Sequence, residues 1–284
     1  MTTRTLAAGG GGVAGIAWEM GLLVGLAEAG IDVRLADLFL GTSAGSAVTA
    51  QITSGRTMEE LFQRQVDPVL QAKELPANAD FQQLIADFTR IFKEGGSSNA
   101  ILQKVGALAL STPTVAEAER RDVIVSRLPV HHWPQARLEI VATDAESGER
   151  IVFTRESGVE LIDAVAASCA VPCVWPPVTI GKHRYIDGGC YSMANVDLAT
   201  GFDKVLVLQP DIPPIPVLES LDEQIERLRL GGTQVEVLTP DEAVKLALAK
   251  AGGNALDPSL RGIAARGGRE QARRELARVA AFWG

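Results

Sequence analysis

At 284 residues, 46% apolar and 22% charged, the chain has the composition of a globular protein with room for a sizeable core. The 35 acidic against 27 basic residues give a net charge of −8, which excludes nucleic acid as a main partner and gives no general pull toward anionic lipid. Any membrane contact would be local and peripheral.

The start of the chain, Met1 to Ala8, passes straight into glycines with no apolar run of signal-peptide length, and no later stretch is long enough to span a bilayer. A cytoplasmic location is expected. Thr5 to Ala8 is a short strand, followed by a glycine loop from Gly9 to Gly15. A helix follows, with Ile16, Met20, Leu23, Leu26 and Ala27 at helical spacing and Gly30 as its stop. Asp37 to Leu40 gives a second strand and Ala44 to Thr53 a second helix, a β-α-β-α opening with parallel pairing.

From Thr57 to about Arg127 the pattern is helical. Thr57-x-x-Glu60 and Thr114-x-x-Glu117 are capping-box candidates. Phe81, Leu84, Ile85, Phe88, Ile91 and Phe92 form the strongest amphipathic stripe in the chain, broken at Gly95-Gly96-Ser97-Ser98. Core-facing helices covering one side of the sheet are the expectation here, ahead of a mobile lid or a lipid-facing surface.

Arg137 to Thr143, with Leu138, Ile140 and Ala142 inward, turns at Glu146 to Glu149 into Ile151-Val152-Phe153 as a hairpin. Ser157-x-x-Glu160 opens a helix to about Ser168, and Pro172, Pro176 and Pro177 forbid its continuation. Thr179 to Ile186 is strand-like, and Lys204 to Leu208 reads as a strand buried on both faces. After the proline-rich stretch from Pro210 the remainder is mostly helical, with a capped start at Thr239 to Glu242. Its last helix is rich in arginine, from Arg261 to Arg278, read as solvated with Glu270 to Arg274 pairing.

The chemistry centres on Gly41-Thr42-Ser43-Ala44-Gly45. Between a buried strand and a helix that starts at once, a Gly-x-Ser-x-Gly serine stands on a sharp turn beside free N–H groups, as a nucleophile requires. The plain alternative is a strand-to-helix connection with a capping serine. His131, His132 and His183 are poor proton acceptors for it. The first two lie in a turn, and His183 is about 13 Å of strand away from Asp187. Asp187, followed by Gly188 and Gly189, is the better base, since a dry pocket raises a carboxylate's affinity for protons. The plain reading is an aspartate capping a turn. The loop N–H groups would bind an anion. Gly10-x-Gly12-x-x-Gly15 also has dinucleotide-fingerprint spacing, so a nucleotide-binding oxidoreductase is the rival, with Asp32 or Asp37 as its acidic residue. Three cysteines, two of them Cys169 and Cys173 with no histidine pair near, fit buried thiols, and neither a metal nor a cofactor is called for.

Taken in order, Gly10-Gly-Gly-Val-Ala-Gly15, Gly41-Thr-Ser-Ala-Gly45 and Asp187-Gly188-Gly189 resemble the bacterial patatin-like phospholipases, as do Ala166 to Pro172 and Pro176-Pro177-Val178 ahead of the aspartate. The resemblance covers roughly residues 5 to 210. It implies an α/β fold of three layers (α/β/α) around a mostly parallel sheet. It also implies hydrolysis of acyl esters of lipids by a serine–aspartate dyad without histidine. By motif position Ser43 matches the nucleophile and Asp187 the base. The backbone of Gly10, Gly11 and Gly12 matches the oxyanion hole, with Gly15, Gly41, Gly45, Gly188 and Gly189 in support. Ala14 stands where the family usually carries Arg or Lys, which puts more weight on backbone N–H groups and favours neutral or soluble esters. A catalytically weak lipid-binding relative is the second reading. The chain is expected to be one domain, with a cap-like helical block at about 57–127 and a helical extension after about 210.

Overall fold

The computed structural model describes every residue except 1, 78, 211–214 and 253, so part of the proline-rich stretch lies outside the described residues. Among the described residues eight strands form one mixed sheet: β1 (Arg4–Ala8), β2 (Leu38–Thr42), β3 (Leu138–Asp144), β4 (Arg150–Phe153), β5 (Val178–Ile180), β6 (His183–Asp187), β7 (Lys204–Leu208) and β8 (Gln234–Leu238). Their order is β5-β6-β3-β2-β1-β7-β8, with β4 also paired to β3. The run from β3 through β2, β1 and β7 to β8 is parallel, and β4, β5 and β6 pair antiparallel.

Strand periodicity builds the layers. Leu6, Phe39, Leu206 and Leu208 point to one apolar core, with α1 (Gly12–Glu28), α2 (Ala44–Ile52), α3 (Met58–Val66), α7 (Leu161–Ser168) and α10 (Arg261–Trp283). Their neighbours Ala7, Leu38, Leu40, Val205 and Val207 face the other side, against Val196, Ala199 and α8 (Leu221–Leu230). Small residues let α1 and α10 pack backbone to backbone: a Cβ on Gly21 would stand 1.9 Å from Ala265 O, and one on Gly268 2.3 Å from Trp18 O. A third apolar cluster joins α4 (Phe81–Glu94) and α5 (Ser98–Ser111) to Val174, Trp175, Ile186 and Cys190. The helical block is completed by α6 (Glu117–Arg127), and α9 (Glu242–Lys250) precedes α10. None of the described helices is long and apolar enough to cross a membrane.

Several local expectations need correction. Thr57 and Glu60 do form a capping box, but Thr114 does not: α6 starts at Glu117 with no side-chain cap, and Thr114 Oγ1 bonds the carbonyl of Val115. Ser157 closes a 3-10 turn with Thr154 instead of opening α7. The strand read over Thr179 to Ile186 is a hairpin, bent at Gly181 with φ +63°. All of β3 is buried, with α2 and α7 packed on it and the Gly188–Cys190 turn lying against Val141. The sequence predicts a mostly helical segment after residue 210, but Gln234–Leu238 forms strand β8, where Gln-Val-Glu-Val-Leu alternates. Arg261 is buried in place of facing solvent, while the Glu270 to Arg274 pair is present at 3.8 Å.

Candidate active site

The sheet register brings Ser43 and Asp187 together. Along β3, residues 138–141 pair with β2 and residues 142–144 with β6, while β4 overlaps both stretches from the opposite edge. The two strands therefore meet β3 end to end on one edge. Thr42 lies opposite Val141 and Asp187 opposite Ala142, so the residue after β2 and the last residue of β6 are neighbours. Strand β2 runs to Thr42, past the Leu40 end expected from sequence, and delivers Ser43 at the N-cap of α2.

Ser43 holds φ 53° and ψ −119°, a conformation that costs a non-glycine residue roughly 1–3 kcal/mol unless its surroundings enforce it. They do. Its N–H donates to Ser168 Oγ at 2.9 Å, and its carbonyl accepts from Ser46 N–H at 2.9 Å, Ser46 Oγ at 2.7 Å and Cys169 Sγ at 3.1 Å. The end of α7 braces both residues, since Asp187 N–H donates to Ala170 O at 3.0 Å. Neither Ser168 nor Cys169 was singled out from sequence as a partner of Ser43; the signal available was the small, polar Ala166 to Ala170 run just before Pro172. Asn195 adds a second tie, donating to Thr42 Oγ1 at 3.1 Å and to Gly188 O at 3.3 Å.

The glycines are where backbones touch. A Cβ on Gly45 would lie 1.9 Å from Ala8 O, one on Gly41 2.5 Å from Ser46 Cα, and one on Gly188 2.4 Å from Val141 O. Gly15 stands over Ala44 and Pro210, and Gly189 beside Asp187 and Met193. Gly45 also donates to Gly9 O at 2.9 Å, fixing the glycine loop against the turn. Gly45→Ala is expected to cost roughly 1–3 kcal/mol in urea unfolding, because the displaced atoms are backbone in β1.

Asp187 is 4% exposed and Ser43 8%. Burial pushes the Asp187 carboxyl up to about 7, against opposing pulls from the Ser43 hydroxyl, the Gly189 N–H and the positive charge of Arg120. Its Oδ1 accepts from Gly189 N–H at 2.7 Å, while Oδ2 is buried with no hydrogen-bond partner among the described residues. His183 is elsewhere, bonded to Asp144 at 2.8 Å, and His131 bonds the carbonyls of Val125 and Leu128.

The loop itself crosses Ser43: a Cβ on Gly10 would be 3.5 Å from Ser43 Cβ and 2.6 Å from Met193 Cε. Gly10 N–H is engaged by Met193 O at 2.9 Å, whereas Gly11 and Gly12 N–H find no carbonyl among the described residues. Gly12, at φ +62°, opens α1, so these donors carry that helix's dipole behind them. Pro210 packs on Gly11, Leu256 on Gly12, and Ala255 O accepts from Ala14 N–H at 2.9 Å. Asp37 sits before β2 and bonds Arg4 N–H at 2.7 Å, and Asp32 pairs with Arg34, so neither stands at the carboxyl end of β2 where a ribose would lie. The dinucleotide reading is set aside on that placement.

Among solved structures the chain is similar to VipD from Legionella pneumophila, at 12% identity and TM-score 0.48, covering 98% of this chain and 67% of that one. It is also similar to the type III effector protein ExoU, at 16% identity and TM-score 0.43, covering 98% of this chain and 53% of that one. Likeness at this level bears on neither substrate nor partners. The sequence over residues 6–200 matches the family model described as patatin-like phospholipase, and that span takes in the glycine loop, the Ser43 turn and the Asp187 turn. The chain belongs to the patatin-like phospholipase family, whose members are generally serine hydrolases acting on lipid acyl groups.

Proposed function

We propose that the chain hydrolyses acyl esters of lipids with Ser43 as nucleophile and Asp187 as the only general base. The observation that carries this is the buried Asp187 carboxyl, whose Oδ2 has no hydrogen-bond partner among the described residues, beside a serine held at a strained turn. Ser43 Oγ attacks the ester carbonyl carbon while its proton passes to Asp187. The negative oxygen that forms is met by Gly11 and Gly12 N–H at the start of α1. The carbonyl–alkoxy bond then breaks, the proton goes from Asp187 to the departing alcohol, and an acyl-Ser43 remains. Water, deprotonated by Asp187, attacks that acyl group; the acyl–Oγ bond then breaks, Asp187 gives its proton to Ser43 Oγ, and the fatty acid is released with the dyad restored. A carboxylate with proton affinity near neutrality suits both transfers.

The cluster of α4, α5, Val174, Trp175 and Cys190, with Leu218 and Leu256 packed on it, offers the acyl chain an apolar environment. Ala14 leaves the loop without a charge, so the substrate is a neutral or weakly charged ester rather than one selected by a headgroup phosphate. Acyl transfer here needs neither metal nor organic cofactor. A lipid-binding protein without turnover is favoured by one observation, the Met193 carbonyl occupying Gly10 N–H.

Initial rates on a panel of p-nitrophenyl and glyceryl esters decide between them. Wild type is expected to turn over, with kcat/KM rising through an apparent pKa near 7 as Asp187 ionises. Ser43→Ala is expected to lose at least about 10⁴-fold, and chelator to change nothing. Tight lipid binding with no turnover on any ester, or an unchanged rate in Ser43→Ala, would overturn the proposal.

A further inference from the structure

One buried acid plays no part in the proton transfers above. Glu19 lies in α1, two turns beyond Gly12, and is 0% exposed. Among the described residues its one polar partner is Gly9 N–H, which donates to Oε1 at 3.1 Å, and no cation offsets its burial. Oε2 is buried with no hydrogen-bond partner among them. Burial therefore pushes the carboxyl well above the usual carboxylate range. An apolar side chain would fill this place in the core at less cost, since a carboxyl with a single bond leaves most of its hydrogen-bonding capacity unused.

That single bond falls on the joint of the site. Gly9 follows the last residue of β1 and opens the glycine loop. Its N–H is shared between Leu208 O, at 2.9 Å, and Glu19 Oε1. Its carbonyl accepts from Gly45 N–H at 2.9 Å, within the Ser43 turn, and on its remaining side a Cβ would stand 2.6 Å from Gln209 Oε1. Strand β7, the Ser43 turn and α1 are thus all tied to residue 9, two positions before Gly11. Four consecutive glycines have wide freedom in φ and ψ, so ties from outside the loop decide where its N–H groups point. Leu208 ties the loop to the sheet, and Glu19 ties it to the helix whose start carries Gly12.

Given the Ser43 reading above, on which this rests, we propose that Glu19 is a positioning residue for acyl transfer: its carboxyl, reaching back from α1, holds Gly9 so that Gly11 and Gly12 N–H stay aimed at the oxygen that becomes negative. Glu19 works as a hydrogen-bond acceptor and moves no proton. The uncharged acid suffices for this, with its carbonyl oxygen toward Gly9 and its proton on Oε2, and a buried carboxylate without a cation is the costlier state. Donors aimed at a developing charge act chiefly in the transition state, so losing the tie falls on kcat more than on KM.

Two variants of the full chain separate this role from packing. Glu19→Met has similar bulk and no acceptor for Gly9; its kcat on the ester panel is expected to fall roughly 10- to 100-fold with KM within about threefold of wild type. Its urea midpoint should equal or exceed that of wild type, because a buried, poorly paired carboxyl has been removed. Glu19→Gln, which keeps an oxygen for Gly9, should recover kcat to within about threefold and leave the pH profile of kcat unmoved. Amide hydrogen exchange over residues 9–12 should speed up in Glu19→Met and not in Glu19→Gln. Where wild type turns over through Ser43, an unchanged kcat in Glu19→Met, a Glu19→Met that unfolds more readily than wild type, or a Glu19→Gln as slow as Glu19→Met would each overturn the positioning role. Unchanged exchange in Glu19→Met would overturn it whatever the turnover, whereas wild type without Ser43-dependent turnover would overturn the functional reading itself.

Discussion

Asp187→Asn is expected to abolish ester hydrolysis and, above neutral pH, to make the protein more stable. Asparagine can keep the Gly189 N–H bond but cannot take a proton from Ser43, so a loss of about 10³-fold or more in kcat/KM follows. The stability gain comes from burial. The folded carboxyl has its proton affinity raised from 3.8 to about 7, so between those values the folded state holds a proton that the unfolded state releases. Stability is therefore fully present below the unfolded value and declines as pH rises through the folded one. About 3 units at roughly 1.4 kcal/mol each is on the order of 4 kcal/mol at pH 8. Asparagine does not titrate and escapes that loss. Urea unfolding at pH 5 and pH 8 should show the variant's advantage growing with pH, and a difference independent of pH would contradict it.

Glu74→Gln is expected to be among the most damaging single changes, removing roughly 3–5 kcal/mol of stability in the same assay. Burial raises the Glu74 carboxyl, yet Arg127, Arg261 and Arg120 outweigh it and hold the group below its ordinary value. The shift is not shared evenly. Arg127, the bidentate partner, is held more firmly protonated, whereas burial pulls Arg261 down and pulls Arg120 down to about 9. One carboxylate serves one guanidinium well and the others incompletely. The contribution of Glu74 is present above the unfolded carboxylate range and is lost as pH falls through its lowered folded value. A loss under about 1 kcal/mol would mean that the arginines are neutralised by something other than Glu74.

The two turns and the glycine loop were legible in the sequence because each is a local pattern. Gly-x-Ser-x-Gly after an apolar strand and Asp-Gly-Gly after another specify backbone approach at single positions, and the structure finds Gly45 on Ala8 O and Gly188 on Val141 O. The near-continuous apolar run of Lys204 to Leu208 likewise gave β7 with its observed bounds. What stayed hidden depends on distant segments meeting. Ser168 and Cys169 brace Ser43 across more than a hundred residues, and no spacing rule announces that. The arginine at position 261 looked like one more charge on a basic helix, and only its convergence with residues 74, 120 and 127 explains why it is buried. Strand β8 shows the same limit, since Gln234 to Leu238 is too short to outweigh helical flanks until β7 supplies its partner.

The central claim, that Ser43 is an activated nucleophile, is tested most directly by treating the folded protein with a fluorophosphonate and mapping the modified peptide by mass spectrometry. The expected result is one adduct, on Ser43, absent from Ser43→Ala and strongly slowed in Asp187→Asn. An unlabelled Ser43 in a protein that still hydrolyses esters, or equal labelling rates with and without Asp187, would contradict it.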